Sequence, residues 1–267
     1  MLSILKSALN ANAKEMGIVS NNIANVNSTA FKKSKTNFEH IYSRDRSSSP
    51  SKFSGQGVGV SDPLLQMSQG SLKTTNGALD LAITGLGFFT IVHEETLETP
   101  FFTRDGSFNI TATGEVVTND GLKVMGYLGE DNQILKNIVI PPNKINEDET
   151  TSMLSNINVD SSGKITATYG FDDEVVIGNF ILASFPNETG LRQVGNNRYE
   201  INSKSGLPNF GFPMDAAFGK IESGNLERSN VDITSEMITM LKAQQAFSGV
   251  SRLLQTEVDI TKRLIDG

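Results

Sequence analysis

"SNNIANVNSTAFKKSK", residues 20–35, sets Asn21, Asn22, Asn25 and Asn27 among Ile23, Val26 and Phe31. Asparagine is a poor helix former, and its amide both donates and accepts hydrogen bonds, so it favours turns and helix ends. Upstream of these amides the chain keeps a seven-residue apolar period. Leu2, Leu9, Met16 and Ile23 form one row, and Leu5, Asn12, Val19 and Val26 the other, with Asn12 the lone polar insertion. That pattern predicts an amphipathic helix with a coiled-coil seam.

The C-terminal end repeats the pattern. Ile233, Met240, Phe247, Leu254 and Thr261 make one row, and Met237, Gln244, Ser251, Val258 and Ile265 the other. Ile238, Leu241, Val250, Leu253, Ile260 and Leu264 widen the stripe. Asp232 or Thr234 is placed to cap this helix, and Glu236 suits the positive end of its dipole. The two terminal helices are expected to pack as an antiparallel pair. The C-terminal stripe is wider than one partner helix covers, and the surplus points to further copies of the chain.

Between the ends the period changes to two. Residues 43–56, "SRDRSSSPSKFSGQ", are polar and broken by Pro50, which reads as a linker or extended arm. "LDLAITGLGFFTIV" holds two short strands around Gly85 and Gly87, and Asp105-Gly106 and Asp120-Gly121 are hairpin candidates. Further strands are expected at 137–140, 156–159, 164–169, 174–184 and 197–201, punctuated by Gly, Asn and Pro as in an all-β body. "GQGVGV", 55–60, reads as a strand bend. The fold class is therefore α+β. It has an N-terminal helix (1–35), an extended arm (36–75), a central β domain (76–210), a return arm (211–230) and a C-terminal helix (231–267), the two helices forming a coiled-coil domain.

The composition excludes several functions. Net charge is −7, against the basic surface that nucleic acid requires. No apolar run is long enough to span a membrane, so no membrane insertion is expected. The start, "MLSILKSALNANAKEMG", lacks an uninterrupted apolar core and does not read as a secretory signal. Cysteine is absent, which rules out disulfides and thiolate chemistry. His40 and His93 lie in different regions, and no nucleophile–base set, phosphate loop or metal motif occurs. "NVDSSGKITATY", 158–169, begins like a calcium loop but carries Tyr169 where the bidentate glutamate belongs, so it reads as a hairpin turn at 161–163. Glu147-Asp148-Glu149 and Asp172-Asp173-Glu174 read as solvated turns. No catalytic, metal or cofactor site is expected.

Asn21-Asn22-Ile23-Ala24-Asn25-Val26-Asn27, then Phe31-Lys32, resembles the N-terminal signature of bacterial flagellar axial proteins, the rod and hook subunits. Thr29-Ala30 stands where that family has Thr-Gly, which makes the turn less permissive. Residues 69–91 and 102–127 are similar to the family's β segments. Leu226 to Asp232, Glu236-Met237-Ile238 and Gln244-Gln245-Ala246-Phe247 echo its C-terminal motifs. The resemblance implies a non-enzymatic subunit without cofactors, exported by the flagellar type III apparatus without a cleaved leader and built into a periplasmic rod.

Its implied partners are copies of itself, other rod and hook subunits and the export apparatus. The inner helices would carry the subunit interface through Leu2, Leu5, Leu9, Met16, Val19, Asn22, Ile23, Asn25, Val26 and Asn27. On the C-terminal side they would use Met237, Met240, Gln244, Phe247, Leu254, Val258 and Ile265. In such a wall the asparagine amides would cap, turn the chain and bridge neighbours. Residues 187–209 are similar to distal-rod subunits. A proximal rod, a short hook and a stalked all-β binding module are the alternatives.

Overall fold

In the computed structural model, residues 1–44, 53–93, 96–128, 135–145, 151–170, 173–215 and 217–266 are described. The chain divides into two compact units. A helical unit comprises Met1–Asn27, Lys32–Gln66 and Val231–Gly267, and a β unit comprises Ser28–Phe31 and Met67–Asn230.

The helical unit pairs α1 (Leu2–Ala24) with α2 (Ile233–Asp266). α1 stops earlier than the 1–35 span expected, because Asn25 leaves helical geometry at φ −99° and ψ 17°. Its side-chain amide donates back to Asn21 O at 2.9 Å, which also accepts from Asn25 N at 3.1 Å, so one asparagine ends the helix with both its backbone and its side chain on the same carbonyl. At the start of α2, Asp232 is the cap. Its carboxylate accepts from Thr234 N at 3.1 Å and from Ser235 Oγ at 2.7 Å. Those bonds, the Ser235 hydroxyl first, hold its pKa below the usual carboxylate value.

The stretch read as an extended arm is a long antiparallel hairpin, β1 (Ser34–Arg44) with β2 (Phe53–Leu65). Residues 45–52 of the serine-rich stretch lie outside the described residues. β2 packs along α1. At Gly57, φ is +111° and a Cβ would fall 2.2 Å from Ser7 Oγ, so only glycine allows the helix this close. The register of the pair shifts beside it, between Ile41 and Tyr42, which is the bend the glycines announce.

The β unit is built on an antiparallel sheet. Its longest path runs from Asn143–Ile145 through Thr151–Val159, Lys164–Tyr169, Asp173–Phe180 and Lys123–Leu128 to Phe88–His93, then Thr96–Thr103, Arg198–Glu200 and Arg192–Gly195. Phe88–His93 is buried on both faces, and its alternation serves two clusters. On one side Phe89 and Ile91 join Leu81, Ile83, Val124, Ile165 and Phe180 in the main core. Phe89 meets the Phe108 ring edge-on at 5.1 Å. On the other side Phe88 packs edge-on against Phe185 and Tyr199. The return arm supplies two strands, Lys220–Ser223 beside Leu81–Thr84 and Asn225–Glu227 beside Leu72–Thr74.

The two Asp-Gly pairs behave differently. Asp120-Gly121 is a hairpin turn between Val116–Thr118 and Lys123–Leu128, with Gly121 at φ +80° and its N–H donating to Thr118 O at 2.9 Å. Asp105-Gly106 is not a hairpin, because Thr96–Thr103 and Phe108–Ile110 pair with other strands. There Asp105 instead accepts from Ser107 N at 3.1 Å and Ser107 Oγ at 2.8 Å. Gly106 O accepts from Leu81 N at 3.0 Å. The 161–163 turn forms as read, with Gly163 N donating to Asp160 O at 2.8 Å. Tyr169, at the end of the would-be calcium loop, is a buried strand residue whose hydroxyl donates to Pro141 O at 2.8 Å. Asp173 pairs with Lys144 at 2.6 Å, and residues 147–149 and 172 lie outside the described residues.

Candidate functional site

Within the helical unit, one amide fastens three elements. Asn22, 1% exposed, is on the last full turn of α1. Its Nδ2 donates to Ser34 O at 2.9 Å, and its Oδ1 accepts from Ser34 N at 3.0 Å. The side chain thus pairs with the first residue of β1 as another peptide would. The second Nδ2 hydrogen goes to Glu236 Oε2 at 3.0 Å, in the first turn of α2. Glu236 is itself 8% exposed, and its Oε1 sits 3.6 Å from Lys33 Nζ. Only a side chain carrying both donors and an acceptor satisfies all these groups. The end of α1 therefore meets the start of α2, and the two helices run antiparallel from that point. Nearby, burial pushes the Glu15 carboxyl above its usual pKa.

The sequence places Glu236 at the helix dipole but gives no sign that it is buried or that Asn22 is its partner. An acid one turn into a capped helix is ordinarily solvated, and only the fold brings residues 22 and 236 together. The four asparagines separate here: Asn22 is sealed inside, Asn25 caps its own helix, and Asn21 and Asn27 face solvent.

The apolar rows lie elsewhere. On α1 the buried residues are Ala11, Val19 and Asn22. Leu5, Leu9, Met16, Ile23, Asn25 and Val26 are half-buried, and Leu2 is exposed. On α2 only Glu236 and Ala243 are buried among the described residues. Met240, Phe247, Leu254 and Val258 are half-buried, while Met237, Gln244 and Ile265 are exposed. Leu241, Leu253 and Ile260 add to the uncovered surface, and Leu264 and Ile265 are each 78% exposed. What each helix buries in its own chain is a narrow, partly polar strip beside the seam that the heptads predict.

The described residues contain no cluster of three acidic or histidine side chains able to hold a metal, and no helix among them is long and apolar enough to cross a membrane. The helical unit thus pairs two terminal helices whose apolar rows are only partly covered, and the β unit seals its core within one chain. Three family models match in chain order. "Flagella basal body rod protein" covers residues 2–32, "Flagellar hook protein FlgE/F/G D1 domain" residues 82–167, and "Flagellar basal body rod FlgEFG protein C-terminal" residues 222–266.

The chain belongs to the flagellar rod and hook protein family, whose members are structural proteins and not enzymes. Within it, the full-length likeness is to rod proteins named FlgG. The flagellar basal-body rod protein FlgG of Buchnera aphidicola subsp. Baizongia pistaciae is 31% identical over 98% of this chain and 97% of its own length. FlgG of Borreliella burgdorferi is 30% identical over 94% and 91%. The flagellar hook protein FlgE of Helicobacter mustelae is 38% identical over a shorter span, 58% of this chain and 36% of its own.

Proposed function

We propose that the chain is a distal-rod subunit that assembles with copies of itself, and with neighbouring rod and hook subunits, into a helical tube that transmits torque. In this reading α1 and α2 form an inner coiled-coil layer. Leu2, Leu5, Leu9, Met16, Ile23 and Val26 meet Met237, Met240, Gln244, Phe247, Leu254, Val258 and Ile265 of adjacent copies. Val19 and Asn22 set the helix pair from within, and Asn25 and Asn27 finish and turn the chain at the wall. The subunit reaches the periplasmic part of the basal body through the flagellar type III apparatus.

One observation carries the reading: the heptad rows of the terminal helices are only partly covered in the single chain, with Leu2, Ile233, Met237 and Ile265 exposed and most of the rest half-buried, in a protein of an axial family. An apolar surface of that extent calls for a partner. Near-complete coverage of the rod relatives, against about a third of the hook relative's length, supports rod over hook. The test is deletion of the gene followed by electron microscopy of basal bodies. Assembly halting with a short rod and no hook is expected, and complement by Ile23→Asp or Leu254→Asp should fail. Complete hooks in the deletion strain, or normal swimming with either variant, overturns the proposal.

A further inference from the structure

The chain passes between its two units after Asn27, Phe31, Gln66 and Asn230. On the β-unit side these passages are fastened to one another. Ala30 N donates to Glu227 O at 2.8 Å, Asn230 N to Phe31 O at 3.3 Å and Arg228 N to Ser71 O at 2.9 Å. The Asn230 amide donates to Ser68 O at 3.0 Å. Thr29 forms a bridge with Arg228, and Thr29 O accepts from the Asn197 amide at 2.6 Å.

Glu227, 1% exposed, is at the centre of this junction. Its Oε1 accepts from Gly70 N at 2.7 Å, and its Oε2 lies 3.8 Å from Arg104 Nη1. Arg104, 2% exposed, donates from Nη2 to Gly85 O at 3.0 Å and lies over the Phe88 ring at 5.0 Å. The backbone and side chain of one residue thus join stretches around 30, 70 and 104, all distant in sequence. The pair lies against Tyr199, whose hydroxyl pKa is raised by burial, the nearby Arg104 charge opposing and Glu227 adding to the rise.

We infer that Glu227 and Arg104 form a clamp that fixes the β unit to its four chain passages, with Glu227 a positioning residue for torque transmission. The torque part rests on the rod reading above. A buried ion pair adds little net stability over apolar side chains of similar size, but removing one partner is costly. Its contribution is therefore definition of place. An apolar contact tolerates sliding, whereas the carboxylate has one position that serves both Gly70 N and the guanidinium.

The experiment follows limited proteolysis of the purified full chain, with hydrogen exchange in Phe88–His93 and Lys164–Tyr169 as the internal control. Glu227→Gln keeps an acceptor for Gly70 but leaves Arg104 buried and unmatched. Cleavage within 67–71 and 228–231 is expected to rise about 10–100-fold, while exchange in the two core strands stays within about 2-fold. Adding Arg104→Met should return cleavage to within about 3-fold of the parent chain and restore swimming lost with Glu227→Gln.

Unchanged cleavage, additive effects in the double variant, or general loss of core protection overturns the clamp. The proteolysis arm needs no rod. If the deletion strain builds complete hooks, the rod reading fails while this result still decides the clamp, and a failed clamp leaves the rod reading standing.

Discussion

The β unit and the helical unit use apolar residues in opposite ways. In the β unit, Leu81, Ile83, Phe89, Val124, Ile165, Phe180 and Leu182 are sealed completely within one chain. In the helical unit, the largest apolar side chains of α2 stay partly or wholly in solvent, and among the described residues the two buried positions of that helix are a glutamate and an alanine. Burial is the dominant favourable contribution to folding. The β unit therefore carries its stability inside itself, whereas the helical unit keeps apolar surface in solvent that the proposed assembly would cover.

The largest expected effect comes from striking the two units alike. Phe89→Ala should cost the β unit about 3–5 kcal/mol by denaturant unfolding, through lost transfer energy and the cavity left among Phe108 and Phe180. Leu264→Ala should change the stability of the dilute chain by less than about 0.5 kcal/mol, yet impair swimming. A similar cost at both positions would erase the contrast.

Next is the buried amide at the end of α1. Asn22→Leu should cost it about 2–4 kcal/mol, because Glu236 and both backbone groups of Ser34 lose their buried partner. Thermal loss of helical circular dichroism measures this. Asn21→Leu, at an exposed position of the same helix, should cost less than about 0.5 kcal/mol.

pH separates the units by sign. The Asp232 pKa is depressed in the fold, so its contribution is present above the ordinary value of 3.8 and is lost as pH falls through the folded value. Helicity of the α2 start should therefore fail on strong acidification, and Asp232→Ala should remove that step. The Asp105 pKa is raised, mainly by burial, with the Asp120 and Asp80 charges adding and the Ser107 bonds opposing. A raised carboxyl favours folding in its protonated form, present below 3.8 and lost as pH rises through the folded value. Near neutral pH, Asp105→Asn should therefore leave the β unit as stable or more stable, by less than about 1 kcal/mol. The Ser107 bonds survive because the amide oxygen still accepts. Thermal melts across the acid range, followed separately at aromatic and helical wavelengths, check both signs.

Two opposing effects meet at Ala30, fully buried at φ +54°. Left-handed geometry costs an alanine about 1–2 kcal/mol. Ala30→Gly relieves that but loses a buried methyl, about 0.8 kcal/mol, and adds freedom to the unfolded chain. The two sides nearly cancel, and unfolding should shift by less than about 1 kcal/mol.

How much of this was legible depended on whether a feature is local. The two terminal helices, the Asp232 cap and the turns at 120–121 and 161–163 follow from period, capping chemistry and turn residues. The left-handed turn at Ala30 is foreshadowed by an alanine where the family carries glycine. The hairpin β1–β2 was hidden, since Gly55, Gly57 and Gly59 break the alternation that marks a strand, and the need for glycine at 57 is visible only with α1 against it. Asp105-Gly106 and Asp120-Gly121 are the same dipeptide, and the strands that claim their neighbours decide which becomes a hairpin. The Asn22–Glu236 bond and the Glu227 junction span most of the chain, and no local pattern encodes such meetings.

The central claim is that the terminal helices are complete only among other copies. Amide hydrogen exchange of α2, compared between dilute monomer and assembled filament, tests it most directly. Amides beyond Ala243 should exchange readily in the monomer and become protected in the filament, while Phe88–His93 stays protected in both. Strong protection of residues 250–264 in the dilute monomer, unchanged on assembly, would contradict the account.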